Sequence, residues 1–100
     1  MAGLNVYEQV SFSSRGFLAQ RLHRSSRMRV LVLGLSPGQR MPTHPDRMDT
    51  LLLFTEGAGR VIVGEEEQEV EAGAFVSVSA GVPRGIEADT QMVVLMVNLV

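Results

Sequence analysis

The feature that most constrains this chain of 100 residues is a series of short apolar runs, each stopped by a glycine or proline turn. Runs of this length that are rich in β-branched residues predict strands, because a helix needs a longer amphipathic repeat. The predicted strands are residues 29–35, 50–55, 60–63, 75–79 and 91–100. Turns at such regular intervals indicate an all-β sandwich or barrel.

The rest of the chain adds little regular pattern. Residues 17–24 fit a weak helix and a strand about equally well. No proline- or serine-rich linker and no internal repeat divides the sequence, so we expect a single domain over residues 1–100.

The composition excludes several kinds of chemistry. All nine basic residues are arginine and cysteine is absent, so lysine Schiff bases, thiolate nucleophiles and cysteine-ligated zinc are unavailable. A net charge of -2 gives no general attraction to nucleic acid or to an anionic membrane, and we expect neither as a partner. No apolar run approaches the roughly 20 residues of a spanning helix, and we expect a soluble, cytoplasmic protein.

Like charges are concentrated in two places. Five of the nine arginines lie within residues 15–29, and five glutamates lie within residues 65–71. Two interpretations are open. The clusters form an anion-binding or subunit-pairing patch, or they are solvated faces that keep strand edges from aggregating.

Two motifs in the centre of the chain resemble those of the cupin superfamily. The pattern G-x5-H-x-H-x3-E-x6-G aligns without a gap with GQRMPTHPDRMDTLLLFTEG, residues 38–57. The pattern G-x5-P-x-G-x2-H-x3-N aligns with GAFVSVSAGVPRGIEA, residues 73–88. The glycines and His44 match. The other signature positions carry Asp46, Thr50, Ser79, Arg84 and Ala88.

The resemblance implies a single-domain jelly-roll barrel, the double-stranded β-helix, with a conserved core over residues 30–97. It further implies that the N-terminal segment, residues 1–29, packs on the barrel or on the partner of a homodimer. His44, Asp46, Thr50 and Arg84 occupy the four positions that hold three histidines and a glutamate in metal-binding cupins. That N/O set suits iron, manganese, nickel or zinc.

Arg84 disfavours the binding of a metal at these positions. A guanidinium stays protonated, has no lone pair to donate and repels a divalent cation. We therefore expect no cofactor. If a divalent metal binds, its ligands are His44, Asp46 and Asp49.

We expect His44 and Asp46 to enter the barrel, because residues two apart on a strand share a face. The alternative is that His44, which Pro45 follows, is a turn residue. We also expect Arg84 to replace the cation and to bond to Asp46, since a buried charge is costly unless it is paired. Arg84, His44 and Arg40 then present donors to a small anionic or polar ligand. Met48 either lines this pocket or fills it, and Met48, Leu52 and Phe54 share the inner face.

Three functions remain open from the sequence. The first is a metal-independent module that binds a small molecule in the barrel. The second is an enzyme, either a metal-dependent oxygenase or isomerase with a reduced ligand set, or a metal-free isomerase with His44 as base. The third is a structural protein whose barrel is filled by side chains. The fold alone does not choose among them.

Overall fold

The computed structural model describes residues 3–100, which form nine strands and one short helix. In chain order these are α1 (Val6–Gln9), β1 (Leu18–Arg24), β2 (Met28–Leu35), β3 (Arg40–His44), β4 (Asp49–Glu56), β5 (Ala58–Val63), β6 (Glu66–Glu71), β7 (Phe75–Val78), β8 (Arg84–Ala88) and β9 (Met92–Leu99). All strand pairs are antiparallel. The prediction of an all-β chain is confirmed.

The strands form two sheets that face each other. One has five strands in the order β1-β2-β9-β4-β7, and the other has four in the order β3-β8-β5-β6. Alternating residues of β4 and β9 point between the sheets, and Leu52, Phe54, Met92 and Val94 are all fully buried there. The space between the sheets is therefore filled by a continuous apolar core.

The predicted strands match the observed ones to within two residues at each end. Residues 17–24, which the sequence left open, contain strand β1. The sequence did not predict β3, β6 and β8, because these strands carry proline, glutamate or glycine in place of an apolar run. The observed helix, α1, is a single turn whose N-cap is Asn5.

A bulge in β3 shapes one end of the barrel. The pairing of β3 with β8 shifts between Met41 and His44. At this point Thr43 approaches Gly85 so closely that a β-carbon on Gly85 would lie 2.6 Å from Thr43 Oγ1. A glycine is needed here because no side chain fits in the space.

Residues 5–17 pack on the barrel of the same chain. Tyr7 donates a hydrogen bond from its hydroxyl to the carbonyl of Thr55 (3.0 Å), and Gln39 donates from Nε2 to the carbonyl of Ser13 (2.5 Å). Ser11 crosses the outer face of β2 so closely that Gly34 has no room for a β-carbon. Within residues 3–100, no helix has the length and hydropathy needed to cross a membrane.

Candidate functional site

The polar residues of interest lie at one end of the barrel, where β2, β4 and β8 begin and β9 ends. We call this end the mouth. One row of the five-stranded sheet crosses it, and paired residues in such a row share a face. From β1 to β7 the row consists of Arg24, Arg29, Asn98, Thr50 and Val78. Apolar core fills the layers below, so the mouth is the polar end of the inner face.

Arg84 enters this layer from the opposite sheet and is 2% exposed. It donates from Nη1 to Thr50 Oγ1 (2.6 Å), from Nε to the carbonyl of Val82 (2.8 Å) and from Nη2 to the carbonyl of Ser79 (3.0 Å). Thr50 Oγ1 donates in turn to Asn98 Oδ1, 2.8 Å away. A buried guanidinium is thus held by neutral acceptors alone, and three of its five N–H groups are used.

The predicted bond between Arg84 and Asp46 is wrong. Strand β3 ends before Asp46, which lies in the loop that leads to β4. There Asp46 Oδ1 accepts a hydrogen bond from the backbone N–H of Met48 at 3.1 Å. Asp49 is likewise engaged, because its Oδ1 accepts from the backbone N–H of Ala80 at 2.8 Å. Both carboxylates stabilise turns and leave Arg84 without a counter-charge.

The prediction that His44 and Asp46 both enter the barrel is also wrong. His44 is exposed at the rim, where its Nδ1 lies 2.9 Å from the carbonyl oxygen of Pro42. The bulge in β3 changes the alternation of side chains before this point, so spacing along the strand no longer fixes the face. Asp46 is half-buried in its turn.

Arg40 lies outside the mouth. It is exposed on the outer face of the four-stranded sheet, where Glu87 is its direct neighbour on β8 and Arg60 follows on β5. Arg60 bonds to Glu87 (2.9 Å), Glu67 (3.0 Å) and Asp89 (3.1 Å). The hydrogen bond to Glu87 and the charge of Asp89 raise the pKa of Arg60 above its ordinary value. This face is therefore a network of paired charges.

The side chains at the mouth do not fit a divalent metal. Asp46 and Asp49 already accept hydrogen bonds from backbone amides, and His44 points along the rim. Over residues 3–100, no three histidine, cysteine, aspartate or glutamate side chains converge as a metal ion requires. The buried guanidinium of Arg84 adds a repulsive positive charge beside them.

A shallow depression opens beside this layer, at the β1–β2 turn, with a volume of about 270 Å³. The residues that line it are Arg24, Ser25, Ser26, Met28, Arg29, Met48 and Val100. Arg29 Nε is buried and has no hydrogen-bond partner. Met48 is half-buried and joins the depression instead of the core, whereas Leu52 and Phe54 lie in the core as predicted.

The sequence had placed Arg24 and Arg29 in the basic cluster but had not connected them with Arg84. The sequence analysis did not identify Asn98. Its spacing along β9 could have predicted it, because Asn98 follows Met92, Val94 and Met96 at intervals of two residues and therefore lies on the inner face.

The chain is similar to known proteins along most of its length. The family model described as "Cupin domain" matches residues 31–98. No curated protein matches the chain in sequence.

Solved structures match the whole fold. The protein TT1209 from Thermus thermophilus is 24% identical with a TM-score of 0.93, over 99% of this chain and 97% of that one. An RmlC-like cupin protein from Desulfovibrio desulfuricans is 24% identical with a TM-score of 0.91, over 99% and 96%. A salicylate 1,2-dioxygenase from Pseudaminobacter salicylatoxidans is 23% identical with a TM-score of 0.80, over 93% of this chain and 29% of that one. These similarities confirm the predicted barrel.

Proposed function

This chain belongs to the cupin family, and we propose that it is a metal-independent binding module for small anionic molecules. The ligand lies at the mouth of the barrel, in the depression beside the layer of Arg29 and Arg84. Arg29 and Arg24 contact the ligand, and Arg84 contributes a buried positive charge behind them.

The observation that carries this proposal is the lack of counter-charge at the mouth. Within the described part of the chain, Arg60 is the one arginine that forms ion pairs with carboxylates. Arg24, Arg29 and Arg84 share a layer without such a partner. Arg29 Nε is also buried without an acceptor. Burying positive charge without a counter-charge is costly, and an anion in the depression supplies a counter-charge.

The filled interior determines where the ligand lies. Leu52, Phe54, Ile86 and Met92 are fully buried between the sheets and leave the centre of the barrel to the core. The sequence-based proposal of a ligand inside the barrel is therefore replaced by a ligand at its mouth. Of the residues proposed as contacts, Met48 lines the depression, and Thr50 and Arg84 bond to each other in the adjacent layer.

Thermal unfolding in the presence of anions tests the proposal. Acetate, butyrate and phosphate are added at matched ionic strength to wild type, Arg29→Gln and Arg40→Gln. Binding to the native state at ten times Kd stabilises it by about 1.4 kcal/mol, which raises Tm by roughly 6–11 °C for a domain of this size. Some anions also stabilise proteins that have no binding site for them. The informative quantity is therefore the difference in the Tm shift between wild type and the variants.

We expect at least one of these anions to raise Tm in wild type and in Arg40→Gln, and to raise it much less in Arg29→Gln. Arg40 is the matched control because it is an exposed arginine on the outer face of the four-stranded sheet, outside the mouth. Equal shifts in all three proteins would show that the mouth arginines hold no ligand.

The filled barrel also favours a second candidate, a structural protein whose surface carries its function. In that case no anion distinguishes wild type from Arg29→Gln. The enzyme alternative has less support from the geometry, because His44 is exposed at the rim and forms no ion pair with a carboxylate within residues 3–100. The similarity to a dioxygenase at 23% identity shows the fold alone.

A further inference from the structure

The depression at the β1–β2 turn has two chemically different halves. Arg24, Ser25, Ser26 and Arg29 provide positive charge and hydrogen-bonding groups, and this is the polar half. Met28, Met48 and Val100 provide apolar surface, and this is the apolar half. We infer that the ligand of the proposed binding module is a small carboxylic acid with an apolar body, whose carboxylate lies on the arginines and whose body lies on the methionines.

The polar half favours one anionic group. Arg24 on β1 and Arg29 on β2 are direct cross-strand partners. Like charges placed opposite each other destabilise a sheet unless an anion lies between or beside them. The planar carboxylate accepts two parallel N–H bonds from a guanidinium, and Arg24 and Arg29 both line the depression. The carboxylate is therefore the group that the geometry recognises.

The turn beneath these arginines is held in place before any ligand binds. Ser25 Oγ accepts hydrogen bonds from the backbone N–H groups of Arg27 (3.1 Å) and Met28 (3.2 Å). The backbone N–H of Ser25 also donates to the carbonyl of Met28 at 2.9 Å. A turn that is fixed in this way loses little conformational freedom on binding, which favours affinity for a small molecule.

The apolar half excludes an inorganic anion as the preferred ligand. When phosphate or sulfate binds, the thioether side chains of Met28 and Met48 stay exposed to water, whereas the hydrocarbon body of a carboxylic acid covers them. Methionine adapts to apolar groups of different shape because its side chain is unbranched and flexible. The volume of about 270 Å³ lies just below the usual range of about 300–1,000 Å³ for ligand sites, which limits the body to a few carbons.

Calorimetric titration with acetate, butyrate and hexanoate tests this inference, which rests on the proposed function. A methylene that is fully buried strengthens binding about fourfold, and one that is half-buried about twofold. We therefore expect hexanoate to bind wild type on the order of ten times more tightly than acetate, and more tightly than phosphate.

Two substitutions separate the halves of the site. Arg29→Gln weakens binding of every carboxylate by about tenfold, because it removes a charged hydrogen bond. Met48→Gln reduces the ratio of hexanoate to acetate affinity. Arg40→Gln and Leu53→Gln are the controls, because both residues are exposed on outer faces of the barrel. Arg24→Gln, at an exposed position, replaces Arg29→Gln if the latter fails to fold.

The two proposals fail in different ways. If acetate and hexanoate bind equally well, or if Met48→Gln leaves their ratio unchanged, the apolar half takes no part and this inference is overturned while the anion site stands. If neither the carboxylates nor phosphate bind wild type, the proposed function itself is overturned.

Discussion

Replacing Arg84 with alanine removes the residue that joins the two sheets at the mouth. The substitution deletes three hydrogen bonds and leaves Thr50 Oγ1 and the carbonyls of Ser79 and Val82 with one partner fewer. A hydrogen bond to a charged group contributes about 1.5–3 kcal/mol, so the gross loss is roughly 4.5–9 kcal/mol.

The loss is partly offset by the cost of burying the guanidinium. Removing a charge from a site with 2% exposure recovers several kcal/mol of desolvation energy, because no carboxylate compensates it in the native state. We therefore expect a net destabilisation of about 2–4 kcal/mol, equivalent to a decrease in Tm on the order of 10–20 °C for a domain of 100 residues.

Urea unfolding followed by circular dichroism measures this change. A double-mutant cycle with Thr50→Val isolates the bond of 2.6 Å between Arg84 and Thr50. We expect a coupling energy of about 1–3 kcal/mol, because the two side chains are buried in direct contact. Arg40→Ala is the control and changes stability by less than about 0.5 kcal/mol, as exposed substitutions do.

The reasoning is refuted if Arg84→Ala unfolds at the same urea concentration as wild type, or if the coupling to Thr50 is zero. Unchanged stability means that the three hydrogen bonds do not outweigh the cost of burying the guanidinium, and zero coupling means that Arg84 does not connect β8 to β4 in the folded protein.

Three further predictions concern other parts of the molecule. Gly85→Ala destabilises the fold by about 1–3 kcal/mol in urea unfolding, because its β-carbon would lie 2.6 Å from Thr43 Oγ1; unchanged stability contradicts the close packing at the bulge. Homodimerisation, which the family resemblance implies, stays a prediction. We expect light scattering to give the mass of a dimer for wild type and a lower mass for Phe75→Asp, because Phe75 is 61% exposed on the outer face of the larger sheet. A monomer mass for wild type contradicts this prediction. Elemental analysis after incubation with iron, manganese, nickel or zinc yields far less than one equivalent of metal per protein chain, because Arg84 repels cations at the mouth. The account is contradicted if wild type retains one equivalent of metal and His44→Ala does not.

The positions of the core strands followed directly from the sequence. Leu52 and Phe54 alternate with exposed or half-buried neighbours along β4, and this pattern was sufficient to place them on the inner face. The apolar pattern did not predict strands β3 and β8, because they carry proline or glycine in place of an apolar run and β3 contains a bulge. No local signal in the residues around His44 revealed that bulge.

The candidate site was predicted only in part. The motif register placed Arg84 and Thr50 at neighbouring signature positions but did not determine whether Arg84 points inward. The structure buries both side chains and bonds them to each other. The partner of Arg84 was wrong because the hydrogen bonds of Asp46 to its own turn are local and outweigh a distant charge. Arg29 was predicted only as part of the basic cluster, because its contact with the mouth depends on the order of strands β1, β2 and β9.

Calorimetric titration of chelator-treated protein with hexanoate tests the central claim most directly, which is metal-independent binding of an anion by the arginines at the mouth. We predict that wild type and Arg40→Gln bind hexanoate after chelation with equal affinity, and that Arg29→Gln binds it about tenfold more weakly. The account is contradicted if binding disappears on chelation and returns with a divalent metal, or if Arg29→Gln binds as tightly as wild type.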